Sequence, residues 1–196
     1  MGTTNPMPIR GTWRQGYVLD YHTVSSEFVG HDEFGNPMFD TKRTAVGELL
    51  YQLKYRRNLE ALDALVATTI EFVQNWQIAV AALVPVPPTR MRRFQPVLAI
   101  ARRLADALGL PIRQDFVRKV RNTKELKDVF EYNERIRLLE NAYRVRDQSL
   151  RSKAVLLFDD LYRSGATLNA VTRVLYEQAQ CSDVYVLALT RTRTIS

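Results

Sequence analysis

The sequence predicts an α/β fold: a mostly parallel, twisted sheet with helices on both faces, plus an N-terminal β-hairpin as a hood element. Three observations carry that expectation. From Ile78 onward, apolar runs of strand length alternate with stretches of helical spacing. The run from Ala154 to Phe158 is uncharged and carries large side chains, as a strand covered on both faces would. The length of 196 residues, 46% of them hydrophobic and 25% charged, suits one α/β domain with a small appended element.

Residues 1–12 are polar and contain Pro and Gly, the composition of a loose end. Residues 17–21 and 24–29 read as a strand pair, and Gly35-Asn36-Pro37 marks a turn before Met38 and Phe39. Residues 1–44 are therefore expected to form an extension with a β-hairpin, and residues 45–196 the main domain. Trp13, Tyr17, Tyr21, Phe28 and Phe34 are expected to pack the hairpin onto that domain. Val46, Leu49, Leu50 and Leu53 fall at helical spacing, and Lys54, Arg56 and Arg57 end that helix, where cations suit the dipole. Leu62, Leu65, Val66, Ile70 and Val73 mark a second helix starting after Asn58.

Residues 78–86 form a continuous apolar strand stopped by Pro85, Pro87 and Pro88. Val97, Ile100, Ala101, Leu104 and Leu108 make the next helical stripe, closed by Gly109. A short strand follows at 115–120, and 123–139 is charged and less clearly patterned. Then come the acid-bearing strand at 153–158, a helix at 167–178 and a last strand at 184–189.

The net charge is +7, from 28 Lys and Arg against 21 Asp and Glu. That bias suits an anionic ligand and also admits a nucleic-acid partner. Cys181 is the single cysteine and only His22 and His31 stand beside it, so neither a disulfide nor a structural metal site is expected. Cytoplasmic location is the expectation from cysteine usage. No apolar run is long enough to span a bilayer, and no membrane partner is expected.

Chemistry concentrates at the end of the acid-bearing strand. Asp159 and Asp160 sit where that strand emerges, and Ser164, Gly165 and Thr167 follow before a helix begins near Leu168. Gly165 lets the backbone come close to a ligand. Ser164 and Thr167 supply hydroxyls, and the first N–H groups of the helix supply donors and a positive dipole end. A phosphate fits that cup, and the two carboxylates suit the hydroxyls of a sugar carrying it. Ligands of such sheets lie beyond the carboxyl ends of the strands. The loop after the 78–86 strand, with Val86, Pro87, Arg90, Arg92 and Arg93, converges on the same edge with cations that could clamp phosphates.

The order of apolar strand, two acids, three further residues, Ser, Gly, any residue and Thr resembles the phosphoribosyl-pyrophosphate (PRPP) signature of type I phosphoribosyltransferases. Further residues extend the resemblance to the ComF-type branch of that family. They are Leu53-Lys54-Tyr55, Val84-Pro85-Val86-Pro87, residues 104–111 and 118–122, Glu134-Arg135, Asn141-Ala142-Tyr143 and residues 155–168. It runs from about Leu49 to the C-terminus.

The resemblance implies a type I phosphoribosyltransferase fold and a set of roles. Asp159 and Asp160 would hold the ribose 2′- and 3′-hydroxyls of PRPP. Tyr162, Arg163, Ser164, Gly165, Ala166 and Thr167 would surround the 5′-phosphate. The loop bearing Val86, Pro87, Arg90, Arg92 and Arg93 would meet the pyrophosphate. A flap at about 118–135 would close with Arg121 and Lys124, and Lys127 beside them, as cations. Mg²⁺ would bridge pyrophosphate and ribose oxygens, meeting Asp159 and Asp160 only through ribose or water. The implied reaction is displacement of pyrophosphate at ribose C1 by an unidentified nucleophile, and a homodimer is left open.

Three departures bear on the acceptor. The cysteine zinc module of competence-linked members is replaced by Trp13 and the segment up to Thr44. Leu126 stands near the place of the family's usual Gln. Arg163 occupies the position where hypoxanthine–guanine salvage enzymes have an acid, which disfavours a 6-oxopurine acceptor. Two alternatives stay open: a non-catalytic PRPP- or nucleotide-binding regulator, and an accessory protein in DNA uptake or processing.

Overall fold

A computed structural model describes residues 4–88, 93–121, 139 and 141–193. The chain begins with strands β1 (Met7–Pro8), β2 (Gln15–Tyr21), β3 (Thr23–His31) and β4 (Pro37–Arg43). Helix α1 (Ala45–Tyr51) runs into a π-helical turn at Gln52–Arg56, and α2 (Leu59–Trp76) follows. Then come β5 (Ala82–Pro85), α3 (Pro96–Leu108), β6 (Val117–Lys119), β7 (Tyr143–Val145), β8 (Ala154–Tyr162), α4 (Ala166–Glu177) and β9 (Asp183–Arg191).

The central sheet has the order β1-β2-β9-β8-β5. All its pairings are parallel except β1 with β2. Strand alternation sends its residues to two cores. Val155, Leu157, Val184 and Val186 pack with Leu168, Val171 and Leu175 of α4. Leu156, Phe158, Leu187 and Leu19 pack with Leu50, Leu65, Ile100 and Leu104 of α1, α2 and α3. The α/β class with helices on both faces is what the sequence predicts.

The N-terminal strands differ from the expectation. Residues 17–21 do not pair with 24–29. They lie inside the central sheet, parallel to the C-terminal strand β9, with Tyr17 beside Leu187 and Asp20 beside Thr190. The two-stranded hairpin is β3 with β4. Val18 and Leu19 are fully buried, and a free-standing hairpin cannot cover both faces of a strand. The aromatic residues divide in the same way. Trp13 is buried and Tyr17 packs edge-on against Phe72 and Trp76, whereas Phe28 and Phe34 on the hairpin are exposed.

The expected strand at 78–86 shortens to Ala82–Pro85. The strand expected at 115–120 is Val117–Lys119, and it pairs with Tyr143–Val145 in a separate antiparallel ribbon. Lys54 lies within the π-helical turn rather than at a plain helix end.

Candidate functional site

Consecutive residues of a strand point to opposite faces, and the end of β8 uses this to separate its two acids. Asp160 shares the face of Leu156 and Phe158, where α1 packs. There its Oδ2 lies 2.7 Å from Nζ of Lys54, and both side chains are largely buried. Asp159 faces the α4 side, where burial pushes the Tyr143 phenol well above its ordinary range, the Asp159 carboxylate adds to the rise and hydrogen bonding with Thr167 opposes it. The carboxyl of Asp159 is itself raised, to about 7, by burial first and by the Asp160 charge second. The Asp160 backbone N–H, donating to Asp159 Oδ1 at 2.8 Å, and the Lys54 cation hold that rise back. Near pH 7 the Asp159 carboxyl therefore shares its site between the protonated and ionised forms, beside an Asp160 that is ion-paired with Lys54.

The π-helical turn brings Lys54 to Asp160. A π turn inserts an extra residue and re-aims the side chains that follow. It is anchored by the start of α1. Thr44 caps that helix by accepting from the Gly47 N–H at 3.0 Å, and its hydroxyl donates to the carbonyl of Tyr21 at 2.6 Å. Gly47 permits the close approach, because a side chain there would run into the His22 carbonyl. Helix α1 is thus fixed to the carboxyl end of β2, and Lys54 hangs over the neighbouring strands.

His22 links the same strand ends. The Thr190 hydroxyl donates to the Asp160 carbonyl at 3.2 Å, and His22 Nδ1 lies 3.3 Å from that hydroxyl. With the Thr190 proton committed to Asp160, Nδ1 is the donor of the second bond. Burial, and then Lys54 and Arg43, lower the His22 pKa, so the ring is neutral at physiological pH. This half-buried position departs from the expectation of a surface histidine.

The loop after the acids turns at Gly165 into the start of α4. Gly165 is buried with φ +76°, in the left-handed region, and serves as the N-cap of α4 with no side-chain cap bond. An added Cβ would press on the Tyr162 ring at 3.0 Å. Ala166 is buried, Ser164 and Thr167 are partly exposed, and Arg163 points to solvent. The second loop is tied to the same edge, because the Val86 N–H donates to the Phe158 carbonyl at 2.9 Å. Val86 is buried, Pro87 partly so and Arg93 exposed. Arg121 is exposed and lies just after β6. Arg90, Arg92, Lys124, Leu126 and Lys127 lie outside the described residues.

Tyr143, His22 and Thr190 meet the acids only through the fold, and no linear pattern marks them. Cys181 is buried, and burial pushes its thiol up to about 11, in keeping with an inert residue. Among the described residues no group of three or more His, Cys, Asp or Glu could hold a metal ion. No helix among them is long and apolar enough to cross a membrane.

No family model matches the chain. Over 145 residues it is 28% identical to the competence protein ComFC of Bacillus subtilis, covering 74% of this chain and 59% of that protein. The chain thus spans about three fifths of that relative's length. Among solved structures it is similar to adenine phosphoribosyltransferase of Saccharomyces cerevisiae, at 13% identity and a TM-score of 0.49 over 85% of each chain. It is also similar to the HGPRT-ase of Leishmania tarentolae, at 20% identity and a TM-score of 0.40, over 70% of this chain and 72% of that one. The chain is thus similar to ComFC over 145 residues and carries a mostly parallel α/β sheet.

Proposed function

We propose that this protein binds PRPP at the carboxyl end of β8 and transfers its phosphoribosyl group to a nucleophile, releasing pyrophosphate. The observation that carries the reading is the acid pair running straight into a loop whose left-handed Gly165 opens the start of α4. The ribose hydroxyls would donate to Asp160, whose remaining lone pairs accept beside Lys54, and meet Asp159 on the opposite side. The 5′-phosphate would sit against the backbone N–H groups of 163–167 with the Ser164 and Thr167 hydroxyls. Val86, Pro87 and the arginines 90, 92 and 93 would face the pyrophosphate, and Arg121 and Lys124 would close over it.

In the reaction the C1–O bond to pyrophosphate breaks with its electron pair leaving on the pyrophosphate. The nucleophile's lone pair forms the new bond to C1. Charge builds up on the ribose ring as on an oxocarbenium ion, and the protein's part is to hold the sugar, exclude water and balance the departing charge. Lys54 already neutralises Asp160, so the described residues suit a metal that arrives with its substrate rather than one held by protein ligands. Mg²⁺ would supply charge neutralisation on pyrophosphate and ribose oxygens.

Phosphorus NMR of PRPP with Mg²⁺ tests this reading. Addition of the wild type is expected to broaden and shift the 5′-phosphate resonance, and Gly165→Val is expected to leave it untouched. Equal perturbation by both proteins would overturn the assignment of the loop.

A second reading, an accessory role in DNA handling, is supported by the competence name of the ComFC relative and by the β6–β7 ribbon. Arg118 and Arg144 stand directly opposite each other there, both exposed, and like charges so placed disfavour the pairing unless an anion lies between them. Arg102 and Arg103 are less available, since they pair with Gln114 and Asp63. The accessory reading predicts DNA affinity that falls steeply with salt and falls again in Arg144→Ala and Arg146→Ala.

A further inference from the structure

Arg191 ends β9 one strand away from the acid pair, in register with Tyr21 of β2 and Tyr162 of β8. Its guanidinium carbon lies 5.7 Å from each of the two ring centroids. Its Nε is buried and has no hydrogen-bond partner among the described residues. The residue as a whole is only partly buried, so its charge is not sealed from solvent or ligand while Nε itself is left without a partner. The nearby acids are otherwise engaged. Asp160 pairs with Lys54, and Asp20 Oδ1 accepts from the Tyr21 N–H at 2.7 Å. Arg191 enters no ion pair among the described residues. Arg193 adds a second guanidinium 4.5 Å from the Tyr21 centroid and is steadied by its Nε donating to the Thr23 carbonyl.

The sheet order assigns this cluster its place. β8 lies between β9 and β5, so the Tyr21–Arg191–Tyr162 row and the loop after β5 flank the acid pair from opposite sides. If the loop after β5 faces the leaving pyrophosphate, the side of β9 and β2 faces the incoming group. We propose that Arg191, held between Tyr21 and Tyr162, is an acceptor subsite that takes an oxyanion, carboxylate or phosphate, on the nucleophile that replaces pyrophosphate.

This assignment rests on the PRPP reading of the β8 site. A guanidinium presents a planar fork of donors that suits such a group, and the tyrosine rings offer faces to a flat body attached to it. The acceptor's lone pair forms the bond to C1 as the bond to pyrophosphate breaks, and the acceptor's proton passes to solvent. Its oxyanion stays on Arg191 throughout. A neutral base would leave the partly exposed guanidinium to water alone, so the site favours an anion.

Fluorine NMR with 4-fluorobenzoate, 4-fluorophenyl phosphate and the neutral 4-fluorobenzamide, with and without PRPP and Mg²⁺, tests the subsite. At least one anion is expected to bind about ten-fold or more tighter than the amide. Whichever anion binds tighter names the source of the oxyanion. Arg191→Gln is expected to remove the preference, Arg191→Lys to keep part of it, and both to bind PRPP within about two-fold of the wild type. Equal binding of amide and anions, no anion binding, or an undiminished preference in Arg191→Gln overturns the proposal. Failure of PRPP to bind while the Arg191-dependent preference persists overturns the PRPP reading and supports the anion subsite.

Discussion

The two strand–helix junctions that meet at Asp160 are built in opposite ways. The junction of β8 with α4 is one continuous stretch, in which acids, glycine turn and helix start follow one another within nine residues, 159–167. The junction of β2 with α1 is interrupted by the β3–β4 hairpin. It is reassembled from Tyr21, His22, Thr44, Gly47 and Lys54, with Thr190 and Arg191 contributed from the far end of the chain. The first junction supplies the groups proposed to touch substrate. The second sets the charge and position of one of those groups. A ligand site can thus be local in sequence while its electrostatics are not.

The largest expected effect lies in the local junction. Gly165→Val adds a branched side chain at φ +76° against the Tyr162 ring, and PRPP affinity is expected to fall more than about 1,000-fold. Titration calorimetry on a variant with unchanged circular dichroism checks it. A variant that binds normally would remove the local junction from the site.

The next effect belongs to the assembled junction. Lys54→Met leaves the largely buried Asp160 without its cation, at an expected cost of about 3 kcal/mol in urea unfolding. Adding Asp160→Asn in the same chain is expected to restore much of the loss. Additive losses would mean that the two junctions are not coupled through this pair.

Asp159 sharpens the contrast through pH. Its folded pKa is raised above the unfolded value of about 4, so the folded state holds the extra proton. The stability it contributes is fully present below that unfolded value and is lost as pH rises through about 7. Asp159→Asn is expected to flatten this part of the profile and to stabilise the protein by about 1–2 kcal/mol at pH 8. Unfolding midpoints from pH 4 to pH 9 decide it, and an unchanged slope would show that Asp159 does not carry the proton.

The smallest effect is expected at the cap. Thr44→Ala removes the acceptor for the Gly47 N–H and the donor to Tyr21, at about 1 kcal/mol. Because the same change loosens the placement of Lys54, the pH profile of Asp159 is expected to shift with it. A stability loss with no shift in that profile would confine Thr44 to capping.

The same contrast accounts for what could be read from the sequence. The strand from Ala154, its two acids and Gly165 are adjacent, and their periodicity and turn chemistry mark them directly. The two helical stripes after Ala45 were legible for the same reason. Residues 17–21 were not, because an apolar strand followed closely by another has the pattern of a hairpin whichever strand it pairs with. Only the burial of Val18 and Leu19 beside β9 decides that pairing. Lys54 carried the signal of a helix-terminal cation, and nothing in a linear pattern announces a π turn. Arg191 gave no signal at all. Its meaning comes from two tyrosines more than a hundred residues apart in the chain.

The most direct test of the proposed PRPP site is calorimetric titration of PRPP with Mg²⁺ into the wild type and into Asp159→Asn/Asp160→Asn. The site described here predicts micromolar binding by the wild type, on the order of 8 kcal/mol, and its loss in a folded double variant. No heat from a folded wild type, or equal binding by the double variant, would contradict it and leave the acid pair as the end of a strand.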